Sequence, residues 1–215
     1  MTAQDCLEIL RTVKDAAFAT VDSAGQPQVR IIDVMLTERE KLYFCTARGK
    51  DFYRELTREG RAAVTGMNRT FQMVRMTGTV RRLEDQKVWI DRIFRENPVM
   101  NTVYPGDSRY ILEPFCMADA DIEFFDLGKS PIYRESFAIG TAEPAKRGFE
   151  ITAACIACGR CAARCPQQCI EEGAPCRIRQ SGCLHCGLCF ELCPVQAVEL
   201  SLIHISEPTR QAEIS

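Results

Sequence analysis

The stretch CIACGRCAARCP at 155–166 recurs at a period of 28 residues as CLHCGLCFELCP at 183–194. Cys155, Cys158, Cys161, Cys165 and Pro166 return as Cys183, Cys186, Cys189, Cys193 and Pro194, and Gly159 returns as Gly187. Ten of the 13 cysteines lie within residues 155–193, so this segment must fold around its sulfur. A disulfide framework is a poor fit, because the count is odd and the chain is expected in a reducing compartment. Three thiolates two residues apart on a tight turn can wrap one corner of an iron–sulfur cube. Glycine after the second thiol lets the backbone come close, so that N–H groups can point at sulfide. The fourth thiol cannot come from the same loop; it is expected at the start of a short helix that the proline stops. Zinc, which also binds four thiolates, is the alternative. Zinc sites, however, use two separated Cys pairs rather than a triplet and a Cys-Pro.

From FEITAAC to CPVQAVEL the segment resembles the bacterial two-cluster ferredoxins over about fifty residues. The resemblance implies that the fourth cysteine of each run serves the other cluster. One [4Fe-4S] cluster then takes Cys155, Cys158, Cys161 and Cys193, and the other takes Cys183, Cys186, Cys189 and Cys165. It also implies that FEI (149–151) pairs with AVEL (197–200). Cys169 and Cys176 fall outside the ligand pattern and are read as free packing thiols. Cys169 stands where a small apolar residue would pack on a cluster.

The remaining composition is that of an ordinary globular protein. The chain has 215 residues, is 46% hydrophobic and 26% charged, and carries a net charge of −2. That balance gives no pull toward nucleic acid or anionic lipid. No apolar run reaches the length of a membrane span. The start, MTAQDCLEIL, lacks the basic flank and apolar core of a signal peptide, so a cytoplasmic protein is expected. LSLIHISEPTR at 200–210 matches the one-frame translation of a transposase-type sequencing adapter. Residues 200–215 are therefore set aside as an expected artefact tail. His185 is then the remaining histidine, which argues against His-based metal sites or Ser-His catalysis.

Residues 1–140 follow a different plan. Leu7, Ile9, Leu10 and Val13 make a helical stripe over 4–14. Strands are expected at 16–21, 27–36, 41–46, 61–67, 70–83 and 120–127, and YRESFAI (133–139) is a further candidate. GKDFYRELTR (49–58) and EDQKVWIDRIFREN (84–97) read as helices. Many short antiparallel strands with few helices argue for a barrel.

This order resembles the pyridoxamine 5′-phosphate oxidase-like flavoproteins, a split-barrel family. The resemblance implies FMN held by several positions of this chain. VRIID would lie along the flavin ring, with Arg30 at the ring or the phosphate and Ile31 and Ile32 offering backbone. Thr46, Arg48 and Lys50 of FCTARGK would face the phosphate, and Gln72 would hydrogen-bond the ring. Taken without the resemblance, Arg30 and Lys50 are ordinary surface charges, Thr46 is strand filler and Gln72 a sheet-face polar residue. Met67, Met73 and Met76 read as core, and Cys45 and Cys116 as packing thiols. Met35 stands where the oxidase has a lysine, the 46–50 loop is shorter, and the oxidase's arginine-rich closing motif is missing. Genuine pyridoxamine phosphate oxidation is therefore not expected, and deazaflavin or haem relatives of the fold stay open.

The expected molecule is thus α+β. An FMN-binding split β-barrel with flanking helices (1–140) and a linker (141–148) precede a small two-[4Fe-4S] ferredoxin-like domain (149–199). Electron counting makes it an oxidoreductase passing electrons between the clusters and FMN to reduce a small organic substrate. A pure electron carrier and a cluster-based redox sensor are the alternatives. No G-x-G-x-x-G is present, so electrons are expected from a redox partner protein rather than a bound nicotinamide. The family resemblance implies a homodimer, and oxygen-sensitive clusters imply an anaerobic host.

Overall fold

The computed structural model describes residues 1–144 and 147–202. Residues 203–215, most of the stretch set aside as an adapter translation, lie outside the described residues. So do residues 145–146 of the expected linker. The chain divides into two compact units: Met1–Lys129 with Tyr133–Pro144, and Ser130–Ile132 with the chain from Ala145 onward.

The first unit opens with α1 (Ala3–Val13), whose Thr2 and Asp5 form a reciprocal capping box. Then come β1 (Asp15–Val21), β2 (Pro27–Asp33), β3 (Leu36–Glu38), β4 (Lys41–Ala47), α2 (Asp51–Glu59), β5 (Arg61–Met67) and β6 (Gln72–Arg82). It closes with α3 (Gln86–Glu96), α4 (Met100–Val103), β7 (Leu112–Asp126) and β8 (Tyr133–Ile139). The strands form one antiparallel sheet in the order β2-β1-β5-β6-β7-β4-β3, with β8 also on β7. The sheet curls. Phe18 of β1 and Phe44 of β4, far apart in that order, have ring centroids 4.8 Å apart.

Strand alternation sets up two cores. Leu42 and Phe44 of β4 join Leu7, Leu10, Phe18, Phe52 and Phe115 in the larger one. Tyr43, Cys45 and Ala47, on the opposite face, join Ile90, Ile93 and Phe94 of α3. Met76 is buried in the larger core, whereas Met67 is 49% exposed. Burial pushes the Cys6 and Cys45 thiols up to about 12 and Cys116 to about 11, so all three are inert packing groups at neutral pH.

Two expectations need correction here. The 27–36 strand breaks after Asp33 and resumes as β3. β7 starts at Leu112, eight residues before the expected 120, despite Pro114. Pro114 is tolerated because its carbonyl accepts from Leu83 N–H while its missing N–H breaks only one step of the ladder with β4.

The second unit contains β9 (Arg147–Ile151), α5 (Arg160–Arg164), β10 (Ile170–Glu171), β11 (Arg177–Ile178), α6 (Leu188–Leu192) and β12 (Val198–Leu202). β9 pairs with β12 and β10 with β11, both antiparallel. The first pairing sets Ile151 opposite Val198 and Phe149 opposite Leu200. Among the described residues no helix is long and apolar enough to cross a membrane.

Candidate functional site

The sequence repeat of the second unit is also a conformational repeat. Ala157 and His185, two positions after the first cysteine of each run, share φ of 54°. Gly159 and Gly187 cap α5 and α6 at φ of 70° and 83°, backbone that suits glycine. Cys155 and Cys183 accept hydrogen bonds from the N–H groups of Ala157 and His185, both at 3.4 Å. Cys165 and Cys193 each stand at a helix C-terminus, where Cys165 N–H donates to Ala162 O and Cys193 N–H to Phe190 O. The fourth thiol thus sits at the end of its short helix rather than the expected start. The third cysteine, Cys161 or Cys189, lies inside the helix, and the helix delivers the next thiol to its far end.

Two cavities result. One is lined by Cys183, Cys186, Cys189 and, from the other repeat, Cys165. The other is lined by Cys155, Cys158, Cys161 and Cys193. Cys169 lines the first and Cys176 the second; both are buried free thiols, as expected, and Cys169 packs against the cage as its position suggested. Both lie off the repeat, since the 28-residue counterparts are Ala197 and Gly148.

The thiols surround space instead of converging. No three His, Cys, Asp or Glu side chains among the described residues meet closely enough for one metal ion. The main chain supplies N–H groups to sulfur: Ala197 N–H lies 3.2 Å from Cys193 Sγ. The N–H groups of Cys176 and Ala157 lower the Cys155 thiol below its ordinary range. Burial raises Cys161, Cys183 and Cys189, the last to about 11, so these thiols would ionise on binding a cation rather than before it.

In the first unit the residues expected around a flavin are divided. Arg30 points inward from β2 and already has partners. Its guanidinium lies 2.8 Å from buried Glu55 and 4.6 Å from the Phe52 ring centroid, and it also bonds Thr20. Ile31 faces out and is 62% exposed, whereas Ile32 packs on the larger core. Thr46 is buried on the Leu42–Phe44 face of β4, and its Oγ1 has no hydrogen-bond partner among the described residues. Arg48 pairs with buried Glu113 at 2.9 Å. Lys50 is exposed and precedes α2, where no side chain caps the helix and Lys50 O accepts from Tyr53 N–H at 3.2 Å.

The 46–50 loop, Arg30 and α2 therefore come together, since Arg30 touches Phe52 and Glu55 of the helix that Lys50 begins. Gln72 does not join them. It holds the β5–β6 turn, accepting from Asn68 Nδ2 at 2.9 Å, and sits opposite Asp126. Thr46 is opposite Glu113, near the other end of β7. Buried Met35 belongs to the smaller core, and its carbonyl accepts from Asn97.

Comparison with known proteins addresses the first unit. Residues 3–97 match the family described as pyridoxamine 5′-phosphate oxidase. A NimC/NimA family protein from Clostridium acetobutylicum is similar in structure, with a TM-score of 0.55 and 20% identity over 64% of this chain and 93% of that one. A protein related to general stress protein 26 from the same organism gives a TM-score of 0.52 and 14% identity over 63% and 96%. A heme binding protein from Mycobacterium smegmatis gives 0.50 and 13% over 67% and 62%. No curated protein matches the chain. The first unit has the split-barrel fold of the pyridoxamine 5′-phosphate oxidase family that residues 3–97 match.

Proposed function

We propose that the chain is an iron–sulfur flavoprotein oxidoreductase, with two [4Fe-4S] clusters in its second unit and FMN on its first. The observation that carries this reading is the pair of cavities. Each is ringed by three cysteines of one repeat and the fourth cysteine of the other. That is the cross-pairing of the two-cluster ferredoxin run. Bound there, the clusters would each carry single electrons, and the flavin would take one or two. The chain's own contribution is to hold eight thiolates in two cages, direct N–H groups at sulfur, and bring the donors of the 46–50 loop together.

The flavin phosphate fits the start of α2. Lys50 supplies charge, the helix N-terminus supplies N–H groups, and Thr46 supplies a hydroxyl that lacks a partner. Arg30 would act indirectly, because Glu55 and Thr20 fix it. Gln72 would reach the ring only from a second copy of the chain. A homodimer agrees with β2, an edge strand that exposes Val29 (71%) and Ile31 (62%). The substrate is proposed to be a small organic electron acceptor, supplied with electrons by a redox partner protein.

Cysteine substitutions test the cross-pairing. In anaerobically purified protein, Cys155→Ser and Cys193→Ser should each remove about half the iron, and the double variant no more, because both serve one cluster. Combining Cys155→Ser with Cys165→Ser should remove nearly all. Additive loss from the first pair would show that each run holds its own metal.

A further inference from the structure

Each cage contains one cysteine more than a cube has irons. We propose that Cys169 donates an S–H hydrogen bond to the ligand sulfur of Cys165 and so raises the reduction potential of the cluster in that cage. This inference rests on the cluster reading above. Cys169 is 2% exposed and its Sγ lies 3.5 Å from Cys165 Sγ. It also faces Cys183, so it stands beside two ligands of the same cage. Cys176 of the other cage is as buried, but its Sγ donates to Gly173 O at 3.5 Å, so its proton is directed away from the ligand sulfurs.

Packing alone does not call for this thiol. Ala197, the repeat counterpart of Cys169, is 1% exposed, so a methyl group fills the same place in the sister repeat. Four ligands complete a cube, so a fifth sulfur has no iron to bind and keeps its proton. A buried thiol can donate one hydrogen bond, and the neighbours of Cys169 are ligand sulfurs. A hydrogen bond to sulfur stabilises the reduced, more negative cluster more than the oxidised one, which moves the potential upward.

The test uses the full chain, purified without oxygen and titrated electrochemically while EPR follows each cluster. Wild-type iron is counted first; iron-free protein overturns the function proposed above and this inference with it. Given loaded protein, Cys169→Ala should keep its iron and shift one midpoint potential downward, leaving the other in place. Cys169→Ser, which keeps a donor, should restore most of that shift. Unchanged potentials in Cys169→Ala would overturn the inference. Iron loss from Cys169→Ala or Cys169→Ser matching that of Cys165→Ser would also overturn it, because Cys169 would then be a ligand.

Discussion

Thr46 shows what a single side chain can reveal. A buried hydroxyl without a partner costs about 1–3 kcal/mol, and valine has the same shape without the hydroxyl. Thr46→Val should therefore leave flavin-free protein as stable or about 1 kcal/mol more stable in urea unfolding. The same change should weaken FMN binding roughly tenfold, the worth of one lost hydrogen bond to a charged group. Unchanged FMN affinity in a fluorescence titration would remove Thr46 from the site. The sequence offered Thr46 and Lys50 through a family resemblance, but burial and missing partners are not written in residue order. Nor was it legible that Arg30 would be held by Glu55, 25 positions away and on another element. The repeated cysteine runs were legible because a period of 28 is written in residue order.

Among elements, those with one wet face were readable and those without were not. β1 and most of β5 alternate in burial, with the bulky Phe18 and Val64 at buried positions. β7 from Leu112 to Met117 is buried at six successive positions, because one face meets each core. That removes the period of two, and Pro114 disguises the strand further. The short helices of the second unit were displaced by a turn for a related reason. Their apolar content is set by sulfur rather than by a packed stripe. Close strand approach at this scale has its own test. A Cβ at Gly78 would overlap the carbonyl oxygen of Asp119, on the facing strand next to a bulge between Thr79 and Val80. Gly78→Ala should cost about 3 kcal/mol in denaturant unfolding, since backbone rather than a flexible side chain must move. A loss below about 1 kcal/mol would mean that β6 and β7 part easily.

For the whole molecule, the proposed function would divide the labour between chemistry that sulfur dictates and chemistry that a barrel hosts. The first unit carries a large hydrophobic core of its own. The second has little core beyond its cysteines and a few flanking aliphatic and aromatic side chains, so its order is expected to depend on what the cages hold. Both proposals rest on those cages being filled with iron and sulfide. The most direct measurement is the content of iron, acid-labile sulfide, zinc and flavin per chain in protein purified without oxygen. The account predicts brown protein with about eight iron atoms, about eight sulfides and one FMN per chain. Colourless protein that carries zinc and no labile sulfide would contradict it.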